Sequence, residues 1–118
     1  MPLIIIKSST SEISPDSRKE IHDQAEVSLS TILKKSRDYV MSILELGQSM
    51  SFAGDASVPS AYIEVKNVGI LAPETTQILS KEITDNISTN LGVSPDRIYI
   101  EYQQSERHMW GWNGSTFQ

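Results

Sequence analysis

The sequence contains no cysteine, which excludes disulfides, thiolate metal sites and cysteine nucleophiles. Its two histidines, His22 and His108, are too far apart in sequence to form a histidine metal motif. Basic residues are in the minority: ten Lys and Arg stand against fifteen Asp and Glu, the formal net charge is −5, and no basic run occurs. That balance argues against nucleic acid or an anionic membrane as the main partner. No apolar run is long enough to span a bilayer, and the apolar opening carries neither a basic leader nor a small-residue cleavage site. A cytoplasmic protein of one domain, residues 1–118, is the expectation.

The apolar residues that are present are concentrated, beginning with Met1-Pro2-Leu3-Ile4-Ile5-Ile6. Termini are usually polar and frayed. This one has the composition of a strand, and its continuous apolar run predicts burial on both faces. If Met1 is removed, as the compact Pro2 favours, the ring nitrogen of Pro2 becomes a free secondary amine. An α-amino group titrates near ~8, and burial or a nearby cation lowers that value because both disfavour the charged form. The result is a base poised near neutrality. The competing structural reading makes Pro2 a starter of an edge strand, where its missing N–H costs nothing.

Taken in order, the chain divides into two similar halves, about 1–47 and 59–105, with an aromatic tail over 108–118. After the first strand and a polar turn, Ser14-Pro15-Asp16 reads as an N-cap serine, a proline in the first turn and an acid at the positive end of the helix dipole. Ile21, Ala25, Leu29, Ile32 and Leu33 then recur at helical spacing, predicting a helix from Pro15 to Lys34. Lys34 and Lys35 suit its C-terminal end, where cations oppose the dipole. Tyr39 to Leu46 has strand composition, Gly47 to Pro59 that of a loop with a short edge segment at 49–52, and Ala61 to Lys66 alternates as a half-exposed strand does. Pro73 begins a second helix with the stripe Leu79, Ile83, Ile87 and Leu91, and Gly92 stands where a C′ glycine belongs. Arg97 to Tyr102 reads as the last strand, Gln103 to Arg107 as a polar loop.

The expected fold is therefore α+β: two βαβ units whose right-handed crossovers place both helices on one face of a four-stranded sheet. The opposite face would be bare. Ile4, Ile6, Tyr62 and Ile98 cannot all meet water, so another copy of the chain is the expected cover.

Three stretches carry a family resemblance. Met1-Pro2 before an apolar strand, Ser94-Pro95-Asp96-Arg97-Ile98-Tyr99-Ile100 after the second helix, and Gly111-Trp112-Asn113-Gly114-Ser115-Thr116-Phe117 at the end resemble the macrophage migration inhibitory factor family of the tautomerase superfamily. The likeness spans the whole chain. It implies a homotrimer of double βαβ subunits and a cofactor-free isomerase interconverting keto and enol forms of small aromatic α-keto acids such as phenylpyruvate, with weak D-dopachrome-type activity as a further expectation. By the resemblance Pro2 is the catalytic base and Lys35, four residues before Tyr39, holds the substrate carboxylate. Val68 offers a backbone N–H, Tyr99 arrives from a neighbouring subunit, and Tyr39, Trp110, Trp112 and Phe117 form aromatic walls.

Two departures bear on substrate preference: Glu101 stands where mammalian members have asparagine, and Trp110 where they have an aliphatic residue. The redox Cys-x-x-Cys of the mammalian factor is absent, so no thiol oxidoreductase activity is expected. Some relatives are secreted without a signal peptide and act as cytokines, which leaves a non-catalytic trimeric binding or signalling protein as the alternative. Arg18, Lys19 and Lys81 read as solvated helix faces, and His22 and His108 carry no assigned role.

Overall fold

In the computed structural model, which describes residues 1–118, the opening apolar run becomes β1 (Leu3–Ser8), an interior strand of the main sheet. Ser14 caps α1 (Pro15–Leu33) by accepting the backbone N–H of Ser17. Lys34 ends the helix in the left-handed region at φ 55°, with its N–H donated to the Ser30 carbonyl. A tight turn over Arg37–Tyr39 then leads into β2 (Met41–Glu45). The second unit repeats the order as β3 (Ala61–Val68), α2 (Pro73–Leu91) and β4 (Ile98–Ser105), with Gly92 closing α2 at φ 67°.

The sheet runs β2-β1-β3-β4. Within each unit the strands are parallel, Leu3 pairing with Met41 and Ala61 with Ile98. The two units meet through an antiparallel β1–β3 ladder that sets Ile5 opposite Glu64. Both helices cover one face. There Ile4, Ile6, Ile63 and Val65 of the sheet pack with Ile21, Ala25 and Leu29 of α1 and Leu79, Ile83, Ile87 and Leu91 of α2. Each Ile, Leu or Val side chain so removed from water contributes about 1.5–3 kcal/mol, so this layer dominates the stability.

Several expectations are corrected. Strand residues alternate between faces, and Ile4 and Ile6 point to the helices at 0% exposure. Ile98 packs on the same core, so of the four residues expected on the bare face only Tyr62 is there. The uncovered face instead carries Leu3, Ile5 and Ile43 beside Glu64, Lys66 and Glu101, none of them fully buried. The β1 run is thus apolar on both faces but fully buried on one. Element boundaries also move: α1 ends at Leu33 rather than Lys34, β2 at Glu45 rather than Leu46, and β4 begins at Ile98 rather than Arg97. Tyr39 belongs to a turn rather than to β2, because the Ser36 side chain accepts the Asp38 N–H and the Val40 N–H returns to Arg37. Strand β3 reaches Val68, and β4 takes in Gln103 to Ser105, because the parallel ladder continues to Val68 and Ser105.

The tail forms a short hairpin, β5 (Gly111–Trp112) with β6 (Ser115–Thr116). Asn113 and Gly114 take φ 53° and 79°, the pair of positive values that a two-residue hairpin turn requires and that Asn-Gly supplies readily.

Candidate active site

A cavity of about 260 Å³ opens where the N-terminal end of β1, the start of β2 and the returning tail meet. Its walls include Met1, Pro2, Tyr39, Val40, Met41, Trp110, Trp112 and Phe117. Each wall has a local cause. Pro2 is fully buried at the head of β1, with its carbonyl accepting the Met41 N–H at 3.2 Å. The turn at 37–39 swings Tyr39 out of the sheet, and its ring meets Trp112 edge-on with centroids 5.4 Å apart. The hairpin folds Phe117 back over Trp112 in a stacked pair at 6.1 Å, and the Phe117 N–H donates to the Trp110 carbonyl. Arg107 holds the end of this loop by donating to the Phe117 carbonyl at 2.9 Å.

The sheet register explains where the other candidate residues lie. Lys66 pairs with Leu3 across the antiparallel ladder, so Val68, two residues on, ends β3 at the same end of the sheet as Met1 and Pro2. Val68 is buried and does not wall the cavity. Tyr99 lies at the other end: it pairs with Tyr62, which in turn faces Lys7 at the far end of β1. It is 65% exposed and cannot reach the cavity of its own chain. Lys35 follows the α1 cap, fixed by Ser30, whose carbonyl accepts the Lys35 N–H and whose hydroxyl donates to the Lys35 carbonyl at 2.6 Å. It is not a cavity wall, yet its charge is felt there. The Met1 amine is pushed below its ordinary value first by burial and then by the Lys35 ammonium.

The candidate residues thus separate into three groups. Pro2, Tyr39, Trp110, Trp112 and Phe117 surround one cavity; Lys35 and Val68 sit near its rim or at the same sheet end; Tyr99 stands apart. Glu101 is also remote, on the uncovered face, accepting a hydrogen bond from the Tyr62 hydroxyl at 3.2 Å. Burial and that acidic neighbour push the Tyr62 phenol up to about 12. His22 has a partner after all: its Nδ1 meets the Ser42 hydroxyl at 2.6 Å, and Ser42 donates to Glu26. That hydroxyl has a single proton, so with Glu26 receiving it His22 is the donor to Ser42.

Sequence reasoning missed Val40 and Met41 as walls and the bracing by Ser30 and Arg107. For the first two the available signal was adjacency to Tyr39 at the mouth of a strand paired with Pro2. No grouping of three or more His, Cys, Asp or Glu side chains suited to a metal ion occurs, and no helix is long and apolar enough to cross a membrane.

Comparison with known proteins agrees with this architecture. The family model described as macrophage migration inhibitory factor matches residues 1–118. Curated relatives include the factor of Meriones unguiculatus, 34% identical over 70% of this chain and 71% of its own, and the Trichinella spiralis homologue, 30% identical over 73% and 75%. Among solved structures, a homologue from Prochlorococcus marinus superposes with TM-score 0.89 at 36% identity, covering 98% of this chain and 99% of the other. The fold, the order of its two βαβ units and these matches together show that the chain belongs to the macrophage migration inhibitory factor family.

Proposed function

We propose that the protein is a cofactor-free keto–enol tautomerase acting on phenylpyruvate-like α-keto acids, with Pro2 as general base after Met1 is removed. The observation that carries this reading is the setting of Pro2: a fully buried proline heads an interior strand and lines an aromatic cavity, where burial and the Lys35 charge lower the amine of the preceding residue, Met1. With Met1 attached the Pro2 nitrogen is an amide and has no basic lone pair. Once freed, the neutral nitrogen takes a proton from C3 of the keto acid. The C–H electron pair becomes the C2–C3 double bond, the carbonyl π pair moves to oxygen, and that oxygen takes a proton from solvent or from the protonated Pro2 to give the enol; ketonisation is the reverse.

Lys35 would pair with the substrate carboxylate, and the Val68 N–H, at the same sheet end, would serve as a donor to substrate oxygen. Tyr39, Trp110, Trp112 and Phe117 suit an aryl group. The uncovered sheet face, with Leu3, Ile5 and Ile43 on it, supports a homotrimer in which Tyr99 is delivered to an adjoining copy's cavity. Proton exchange tests the chemistry. Processed protein in D2O is expected to replace the C3 protons of phenylpyruvate with deuterium well above the buffer rate, as read by proton NMR. Exchange at the buffer rate contradicts the reading.

A further inference from the structure

Arg97 is the most extensively hydrogen-bonded side chain outside the cavity. Its guanidinium donates to four backbone carbonyls of the loop after β2: Phe52 at 3.2 Å, Asp55 at 2.9 Å, Val58 at 3.1 Å and Pro59 at 3.0 Å. Phe52 and Asp55 are themselves the two ends of a tight turn, exchanging backbone hydrogen bonds in both directions. The turn's central residues, Ala53 and Gly54, sit at φ 55° and 78°. Ala53 has no glycine freedom to favour that conformation, so something must hold the turn. Arg97 bonds both of its ends and also lies over the Phe52 ring, 5.3 Å from the centroid.

The product of this bracing is the placement of one ring. Phe52 packs against Tyr99 at a centroid distance of 4.9 Å and an interplanar angle of 57°. Tyr99 is 65% exposed, so little else of its own chain limits its rotamer. A planar fork is suited to this task, because it directs several donors at once from a fixed position, whereas a lysine offers a single point charge.

We propose that Arg97 is a positioning residue for the active site: acting through Phe52, it fixes the ring of Tyr99 in the orientation in which an adjoining copy receives it. This rests on the tautomerase reading above, in which Tyr99 completes a neighbouring cavity. The connection runs from the turn to the ring and from the ring to the substrate, so its loss weakens substrate capture and leaves the Pro2 base untouched.

The test combines kinetics with a readout that needs no turnover. In processed protein, Arg97→Gln is expected to raise KM for enol-phenylpyruvate about five- to tenfold, with the acid limb of the pH profile unmoved. Phe52→Leu, which removes the ring but keeps the four carbonyl acceptors of the guanidinium, is expected to do the same. In a Tyr99→Ala background Arg97→Gln should add nothing, because the ring it positions is gone. A merely structural role for Arg97 would instead raise KM equally in both backgrounds, and that result overturns the proposal, as does an unchanged KM in the single variant. Independently, the Tyr99 ring resonances should lose their Phe52 ring-current shift in Arg97→Gln as they do in Phe52→Leu. Retention of that shift overturns the positioning alone, whereas absence of turnover in the wild type overturns the tautomerase reading and the catalytic role with it.

Discussion

Replacing Trp112 by alanine separates the two tasks that the aromatic tail performs. Trp112 joins Tyr39 on one side and Phe117 on the other, so it links the turn before β2 to the last residues of the chain. Each aromatic pair is worth about 0.5–1.5 kcal/mol beyond area burial, so docking of the tail should weaken by roughly 1–3 kcal/mol. An aryl substrate would lose one wall of the same kind, again about 0.5–1.5 kcal/mol, which corresponds to a roughly two- to twelvefold rise in KM. A small aliphatic enol has no ring to lose that contact. The assay is therefore a ratio: KM for enol-phenylpyruvate divided by KM for an aliphatic α-keto acid enol, in wild type and Trp112→Ala, with amide exchange of residues 110–118 followed in parallel. The ratio should rise and the tail amides should exchange faster. Faster tail exchange with an unchanged ratio would refute the assignment of Trp112 to the substrate pocket and leave it a clasp for the C-terminus.

Two further predictions concern the surroundings of the base. Burial and then Lys35 hold the Met1 amine below its ordinary value; the same two causes bear on the adjoining Pro2 nitrogen once Met1 is removed, and only the neutral amine accepts a proton. Activity should accordingly fall as the pH drops through that lowered value, and Lys35→Ala, by removing a positive charge, should shift the acid limb of kcat/KM to higher pH; a limb that stays in place or moves down contradicts the electrostatic role. Lys34 occupies the left-handed region at φ 55°, ψ 47°. A non-glycine residue there costs about 1–2 kcal/mol, partly offset in glycine by about 0.5–1 kcal/mol of extra chain entropy. Lys34→Gly should stabilise the protein by about 0.5–1 kcal/mol in urea unfolding, and a lower midpoint would show that the lysine side chain makes a compensating contact.

Most of the fold could be read from periodicity and punctuation. Ser14-Pro15 and Pro73 mark the helix starts, Ile21, Ala25 and Leu29 mark a buried face, and Gly92 marks a stop, because each of these signals is local. The facing of β1 was not legible. Leu3 to Ile6 is apolar at every position, so alternation, the cue that separates core face from open face, is missing, and only the packed helices reveal that Ile4 and Ile6 point inward. The site was legible in the same uneven way. Pro2 is evident as an unusual start, and the tail is conspicuous for its aromatics. That Tyr39 meets Trp112 depends on a turn set by the hydrogen bonds of Ser36 and Arg37 and on a hairpin at Asn113-Gly114, which bring together residues seventy-three positions apart in the sequence. Val68 and Tyr99 are assigned to opposite ends of the sheet by the β1–β3 and β3–β4 registers, and strand composition does not encode register.

The central claim is that the nitrogen of Pro2 is the base. It is tested most directly by following the ultraviolet absorbance of enol-phenylpyruvate during ketonisation, with protein whose intact mass shows Met1 removed and with equally processed Pro2→Gly. The account predicts turnover in the wild type and its loss in the variant. Equal turnover in both, or none in the processed wild type, would contradict it.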